Sequence, residues 1–360
     1  MDAAVKAGSR PRAEPRLRLA RQITACWTTQ ALHVAVQLDL PDRLVAGPQA
    51  AAALAEACTC SADGLRRLLR ALCALQVCRE RRDGRFELTA AGAALCRQPP
   101  DGSASLRGLV LWWGGPLWQL WGELGYSVQT GQSARARQTG AAHYDFLDGR
   151  PEAAAVFHDA MQAMTALIAD DVAQLPTWAG VRSLVDLGGG NGTLAAAIAA
   201  AQPQLQFTVL DRADAEAGAL AVLGTPALVG RGQFVCGDFF APLPPLADRY
   251  LLKSILHNWD DAACRRILAR CAEAAGPGAR LLLVERVSPA RLRPGHRDEA
   301  LARTDLNMLA GLGGRERTLA EFEALLRPAG FEVVGLSPTR HEFSVIEARR
   351  AQGVAPARPR

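Results

Sequence analysis

The sequence predicts an α/β protein with a doubly wound, mostly parallel sheet of the Rossmann type, preceded by a mainly helical domain of the winged-helix type. From Val181 onward, short apolar extended runs alternate with helical ones, which is the pattern of an open sheet with helices on both faces. Before that point, helical segments lead into one hairpin-like stretch. A chain of 360 residues is long enough for two such domains.

The helical domain is predicted to span residues 19–105, after a basic, disordered tail of residues 1–18. Apolar residues recur at helical spacing along this domain, for example in Ser61–Val77. The stretch Val77–Thr89 then places an Asp-Gly pair between two short extended runs, which indicates a β-hairpin. Helices followed by a hairpin of this kind are typical of a winged helix.

A winged helix makes a DNA-binding regulator an alternative function, because arginines on its last helix and in its wing could meet phosphates. A solvated helix face explains the same residues, and phosphate contacts alone do not specify a sequence. The net charge of +5 is also mild. We therefore expect no nucleic-acid partner. The arginines concerned are Arg66, Arg67, Arg70, Arg81, Arg82 and Arg85.

Residues 106–175 are predicted to form a helical linker that contributes to a ligand pocket. Four of the seven tryptophans fall in Leu106–Thr130, where they can form core, a subunit interface or a wall for a flat ligand. The sheet domain is predicted over residues 176–350, and a second disordered tail over residues 351–360.

Composition narrows the class of protein further. The sequence contains no run of about 18 apolar residues, the length that is needed to span a bilayer. Its basic N-terminus is not followed by the apolar segment of a secretory signal. We therefore expect a cytoplasmic protein without a membrane partner. The nine cysteines lie mostly in apolar stretches, where thiols behave as small hydrophobes. Cys58 and Cys60 have no nearby histidine, so no metal is predicted.

The most informative motif is the turn Gly188-Gly189-Gly190, which follows an extended run and opens a helix. Glycines there allow the backbone to approach a bound ligand. Asp211 ends the next predicted strand about twenty residues later, where a carboxylate can accept hydrogen bonds from ribose hydroxyls. NAD-dependent oxidoreductases share this pairing, but the turn lacks their GxGxxG spacing. An NAD-dependent oxidoreductase is therefore kept only as a disfavoured alternative.

Two more motifs lie further along the chain. Asp238-Phe239 follows the third predicted strand, and the run Asp248–Asp261, which contains Lys253 and His257, spans the fourth. With them, the sequence resembles the plant caffeate-type and animal acetylserotonin-type O-methyltransferases and their bacterial relatives that methylate polyketides and phenazines. The resemblance covers nearly the whole chain. It implies an S-adenosylmethionine-dependent O-methyltransferase that forms a homodimer through its helical domain and methylates a hydroxyl of an aromatic small molecule, a bacterial secondary metabolite.

The resemblance also assigns cofactor contacts. The glycine-rich turn would hold the methionine moiety, the carboxylate after the second strand the ribose, and the pair after the third strand the adenine. S-adenosylmethionine would be the cofactor and S-adenosylhomocysteine its product. The residues carried over are Gly188, Gly189, Gly190, Asp211, Asp238, Phe239 and Lys253.

His257 matches the general base of that family, and Glu285 and Glu316 match the acidic residues that flank it. An imidazole with a pKa of about 6.5 is mostly neutral near pH 7, so it can accept a proton from a phenol. Its other nitrogen then needs an acceptor that fixes the tautomer. The structural alternative for Glu316 is a carboxylate at a helix start.

Substrate contacts follow from the resemblance as well. Met308 matches a methionine that packs on the substrate ring, with Asp305 nearby, and Met161 or Met164 could supply the opposite side or belong to the core. The residue after the base is Asn258, where relatives more often have aspartate. A related enzyme that performs cofactor-assisted hydroxylation or decarboxylation is the remaining alternative, and an intact base argues against it.

Overall fold

The computed structural model describes residues 13–141, 143–244 and 246–351. These residues form two compact units, divided between Pro116 and Leu117. Within the described part of the chain, no helix is both long and apolar enough to cross a bilayer.

The first unit is a small helical domain with a three-stranded sheet. Its sheet is antiparallel, with the strand Arg85–Leu88 between Gln49–Ala50 and Cys78–Glu80. Its core is formed by the helices between residues 26 and 74 and by the hairpin, with Leu40, Leu54 and Leu69 fully buried. The elements are α1 (Ala13–Thr24), α2 (Cys26–Gln37), α3 (Leu40–Leu44), β1 (Gln49–Ala50), α4 (Ala51–Ala57), α5 (Ala62–Ala74), β2 (Cys78–Glu80), β3 (Arg85–Leu88), α6 (Ala90–Ala93) and α7 (Arg107–Gly114).

The predicted hairpin is present, because β2 pairs with β3 in the register Cys78↔Leu88 and Gly84 adopts a positive φ of 74° in the turn. The helix before it is capped by Ser61, whose hydroxyl accepts from the backbone N–H of Gly64. This capping satisfies one of the unpaired donors at the helix start.

The N-terminus differs from the prediction of a disordered tail through residue 18. Helix α1 already begins at Ala13, because its Ala, Leu, Arg and Gln residues are strong helix formers whatever their charge. Residues 1–12 of that predicted tail, and residues 352–360 of the second, lie outside the described part of the chain.

The second unit contains the large sheet and the helices that cover it. Helix α8 (Pro116–Trp121) lies at the boundary between the units. The remaining elements are α9 (Leu124–Thr130), α10 (Ala134–Thr139), α11 (Pro151–Ala173), β4 (Ser183–Leu187), α12 (Thr193–Ala201), β5 (Gln206–Asp211), α13 (Glu216–Leu223), β6 (Gly232–Cys236), β7 (Arg249–Lys253), α14 (Asp261–Ala274), β8 (Arg280–Ser288), α15 (His296–Gly311), β9 (Arg317–Thr318), α16 (Leu319–Leu326), β10 (Phe331–Pro338) and β11 (Phe343–Arg350).

The sheet confirms the predicted doubly wound topology. Its strand order is β10-β11-β8-β7-β4-β5-β6, and the strands from β8 to β6 run parallel. Strand β11 is antiparallel to both β8 and β10. One face packs against α14 and α16, and the other against α11 and α12. The chain reverses direction across the sheet at β4, and ligands of such sheets bind at the carboxyl ends of the strands beside that point.

Candidate active site

A cavity of about 460 Å³ opens at the carboxyl ends of the parallel strands. The glycine-rich turn after β4 and the residues that follow β5 and β7 line it, together with one side of α11. Every cofactor residue predicted from the sequence lies in this wall, namely Gly188, Gly189, Gly190, Asp211, Asp238, Phe239 and Lys253. The structure therefore gathers into one place residues that are spread over more than sixty positions of the sequence.

The glycine-rich turn is shaped by close packing. Gly188 has a positive φ of 67°, and a Cβ atom there would lie 2.4 Å from Cδ1 of Ile255. A side chain at this position would therefore be strained and would displace a residue of the cavity wall. The backbone N–H of Gly190 donates to Oδ2 of Asp211 at 2.6 Å, which ties the turn to the end of β5.

One end of the cavity is aromatic. The ring of Trp259 meets Phe239 and Phe240 edge-on, with centroid distances of 6.0 and 4.8 Å. Asp238 stands at the same end, where one carboxylate oxygen accepts from the backbone N–H of Phe240 at 2.8 Å. Apolar rings beside a carboxylate can hold a flat, nitrogen-containing ring such as adenine.

Two ionisable side chains, Asp186 and Lys253, belong to the cavity wall, and Asp186 packs against Gly189 of the glycine-rich turn. Burial raises the pKa of Asp186 to about 7 and lowers that of Lys253 to about 8. Both carboxylate oxygens of Asp186 are buried without a hydrogen-bond partner among the described residues. Buried polar groups in proteins are normally hydrogen-bonded, so this unmet carboxylate marks the base of the cavity as a site that favours a cationic or hydrogen-donating ligand.

His257 lies on a short turn, Leu256–Asn258, directly after β7, and only 5% of its surface is exposed. Its Nδ1 atom is 3.1 Å from Oε1 of Glu316 and 3.9 Å from Oε2 of Glu285. Oε1 of Glu285 accepts from the backbone N–H groups of Ile255 and Leu256. The three side chains predicted to form the base and its acidic neighbours are thus in contact.

The acidic neighbours decide the protonation of His257. Burial by itself would lower the pKa of the imidazole, but the carboxylates of Glu316 and Glu285 outweigh burial and hold it above its ordinary value. Burial raises the pKa of Glu285, and the nearby imidazole partly offsets this rise. A divalent cation is the other occupant that such a cluster suits, and the prediction that no metal takes part stays a prediction.

His257 is adjacent to the cavity wall rather than part of the set that lines it. Ser254, Ile255, Asn258 and Trp259 line the cavity on either side of it. His257 therefore lies beside the cavity, between residues that line it.

The four predicted substrate residues have different surroundings in the structure. Met161 lines the cavity, whereas Met164, one turn further along α11, packs against the apolar core of the sheet. Asp305 accepts from the backbone N–H of Glu316 at 2.8 Å, so its visible role is to hold the segment that carries this glutamate. Met308 lies near the end of α15, where its carbonyl accepts from Leu312 and Gly313.

Sequence reasoning missed Tyr144, whose ring lines the cavity. Burial, with Asp211 and Glu285 nearby, raises the pKa of its hydroxyl, and a hydrogen bond with Asn258 opposes this rise. Tyr144 lies in an irregular segment between two helices. No local motif surrounds it, so only the tertiary structure reveals its position.

Comparison with known proteins identifies the family. A family model for an O-methyltransferase domain matches residues 121–332, and a model for an O-methyltransferase dimerisation domain matches residues 20–98. The chain belongs to the O-methyltransferase family. It is therefore an enzyme that depends on S-adenosylmethionine, and its first domain is the dimerisation domain of that family.

Named relatives align with this O-methyltransferase over nearly its whole length. The phenazine O-methyltransferase PhzM of Lysobacter antibioticus is 32% identical over 92% of this chain and 95% of its own. Acetylserotonin O-methyltransferase of Mus musculus is 35% identical over 90% of this chain and 86% of its own. A solved structure of NcsB1 from neocarzinostatin biosynthesis, in complex with S-adenosylmethionine and 2-hydroxy-5-methyl naphthoic acid, has 35% identity and a TM-score of 0.73, and covers 90% of this chain and 96% of that one.

Proposed function

We propose that this O-methyltransferase transfers a methyl group to the hydroxyl of an aromatic small molecule, a bacterial secondary metabolite, with His257 as the general base. The observation that carries the proposal is the contact of His257 Nδ1 with Glu316 and Glu285 directly beside the cavity. Relatives that act on phenazines and naphthoates support an aromatic acceptor.

The residues of the cavity fit S-adenosylmethionine. The glycine-rich turn would hold the methionine moiety above the unpartnered carboxylate of Asp186, Asp211 would accept from the ribose, and Phe239 with Trp259 would enclose the adenine. When bound there, the cofactor supplies an electrophilic methyl group attached to a sulfonium. A carboxylate beside a cationic group is favourable in a buried site.

His257 would take the proton from the acceptor hydroxyl. The imidazole must be neutral to do so, with the proton on Nδ1 shared with Glu316 and the other ring nitrogen free to accept. Glu316 and Glu285 then stabilise the imidazolium that forms, which is why they raise its pKa. A positioned base of this kind contributes about 10² to 10⁴-fold to the rate, and alignment of the reacting atoms contributes the larger share.

We propose Met161 and Met308 as contacts of the aromatic ring, because thioethers pack well against aromatic faces. Met161 in the cavity wall supports this assignment. The core packing of Met164 favours a structural role instead, and Asp305 is better explained as a support for Glu316.

We propose a homodimer formed by the dimerisation domain. Four large apolar side chains on α1 and α2 are more than half exposed in the single chain, namely Leu17, Leu19, Ile23 and Trp27, the last two at 69% each. Nucleic acid is a poor fit as a partner, since four of the six arginines of the last helix and the wing form ion pairs, among them Arg66 with Glu80 and Arg85 with Asp83. Paired guanidinium groups attract phosphates less than free ones do.

The proposed function is tested with isotope-labelled S-adenosylmethionine and a panel of hydroxylated phenazines, naphthoates, indoles and phenols. We expect a product heavier by one labelled methyl group on an oxygen. A product that gains a hydroxyl or loses carbon dioxide, or a label found on nitrogen alone, would contradict the proposal in favour of a different reaction.

A further inference from the structure

The turn that carries His257 is bound on its carbonyl side by one segment, Gly314–Arg317. The backbone N–H of Arg315 donates to the carbonyl of His257 at 2.9 Å. The guanidinium of Arg317 spans the turn, with Nη1 donating to Leu256 O and Nη2 to Trp259 O, both at 2.7 Å. Three backbone carbonyls at and beside the turn therefore accept hydrogen bonds from this segment, and Glu316 of the same segment contacts the imidazole.

Arg317 is suited to this role by its burial and its shape. Its side chain is fully buried, with 0% of the residue exposed. Asp261 at the start of α14 accepts from its Nε and Nη2 atoms at 3.2 and 2.8 Å, so the charge is paired and the plane of the guanidinium is oriented. Charge-assisted hydrogen bonds are about twice as strong as neutral ones, and the rigid fork of arginine meets two acceptors that a lysine cannot reach together.

The N–H side of the turn is also bound by a buried side chain, that of Glu285. Glu285 accepts the backbone N–H groups of Ile255 and Leu256 at 3.0 and 2.9 Å. The turn is thus clamped between a carboxylate that binds its N–H groups and a guanidinium that binds its carbonyls. Gly314 allows its segment to pack closely against the turn, because a Cβ atom there would lie 2.0 Å from the carbonyl oxygen of His257.

We propose that Arg317 is a positioning residue, which fixes the backbone of the turn and thereby the contact between His257 Nδ1 and Glu316. The relevance of this contact for catalysis rests on the proposed role of His257 as the base. In the described structure, Arg317 has no hydrogen bond to the imidazole and does not line the cavity itself, and it reaches the cavity wall only through the backbone carbonyl of Trp259. Its effect on the reaction passes through the turn.

The first test is the titration of His257 itself, followed by NMR on protein whose histidines carry ¹³C at Cε1. The chain has six histidines, and His257→Gln identifies the signal. We expect the titration midpoint of His257, which is its pKa, to lie above that of an ordinary histidine in the wild-type protein. In Arg317→Lys, this midpoint should fall toward that of an ordinary histidine. The groups that set the pKa of this imidazole, Glu316, Glu285 and Arg286, are unchanged in that variant.

Arg231 provides a matched control. Its guanidinium also binds backbone carbonyls, those of Ala199, Gln202 and Leu205, but it does so at the amino end of the edge strand β6, whereas the turn of His257 follows the carboxyl end of β7. Arg231→Lys should lower thermal stability without moving the midpoint of His257. If Arg317→Lys behaves in the same way, Arg317 has only a structural role and the proposal is overturned.

Turnover gives the second readout. Arg317→Lys should lower kcat by about 10²-fold, the loss expected from a misplaced catalytic group, while KM for the acceptor changes much less. Should this variant fail to fold, Gly314→Ala displaces the carbonyl of His257, which lies in the same turn, and should lower the midpoint in the same direction. An unmoved midpoint in whichever variant folds contradicts the proposal. Full turnover by His257→Gln, alongside a shifted midpoint in Arg317→Lys, would instead contradict the base assignment alone.

Discussion

Nδ1 of His257 lies 3.1 Å from Oε1 of Glu316, and both side chains are almost entirely buried. A buried carboxylate next to an imidazole stabilises the charged form of the ring, and here it outweighs the effect of burial on the histidine pKa. Because a carboxylate oxygen accepts hydrogen bonds, the neutral imidazole of the proposed reaction would carry its proton on Nδ1, beside Glu316. The other nitrogen would then be the acceptor that the reaction needs.

Replacing Glu316 should shift the pH dependence of the reaction. The pKa of His257 is raised by Glu316, so Glu316→Gln lowers it and keeps the imidazole neutral at lower pH. The acid limb of kcat/KM should move to lower pH, while the plateau falls about 10-fold or more, as for other residues that orient a functional side chain. The measurement is a pH profile of kcat/KM. An acid limb that stays in place would show that it does not report His257.

The glycine-rich turn should not tolerate a side chain. Gly188→Ala adds a methyl group at a positive φ and at 2.4 Å from Ile255, and such strain costs about 1 to 3 kcal/mol. We expect S-adenosylhomocysteine to bind at least about 10-fold more weakly, as measured by calorimetry. Gly125→Ala is the control, since nothing lies within 4 Å of the added methyl group. Equal affinities of the two variants would argue against the turn as the cofactor site.

Dimerisation should depend on the exposed apolar face of α1 and α2. Trp27→Glu places a charge on a side chain that is 69% exposed in the single chain, and burying that charge in an interface is costly. We expect the mass in solution, measured by light scattering, to fall from dimer to monomer. Val128→Glu is a comparable change on α9, at 62% exposure, and should leave the dimer intact. A wild-type monomer would refute the dimer outright.

Much of the fold could be predicted from the sequence because its signals are local. The alternation of apolar runs and helices predicts the parallel strands, and the Asp-Gly pair at Gly84 predicts the hairpin. The antiparallel strands β10 and β11 were not predicted. The pairing of β11 with β8 depends on contacts between residues more than fifty positions apart, such as Val345 and Val284.

The residues of the candidate site that belong to sequence motifs could be predicted. The glycine-rich turn and His257 belong to continuous motifs, and the structure places both after parallel strands, at the carboxyl ends of β4 and β7. Tyr144 and Arg317 have no such signal, because their roles arise only when distant segments meet. Met164 shows the opposite problem, since helical spacing cannot tell a core methionine from one that faces a cavity.

The most direct test of the central claim is a comparison of turnover and cofactor binding in His257→Gln. If His257 is the base, kcat should fall by about 10² to 10⁴-fold, while the Kd for S-adenosylhomocysteine stays within about twofold of wild type, because no predicted cofactor contact is removed. Turnover close to that of wild type, or parallel losses of kcat and cofactor affinity, would contradict the account.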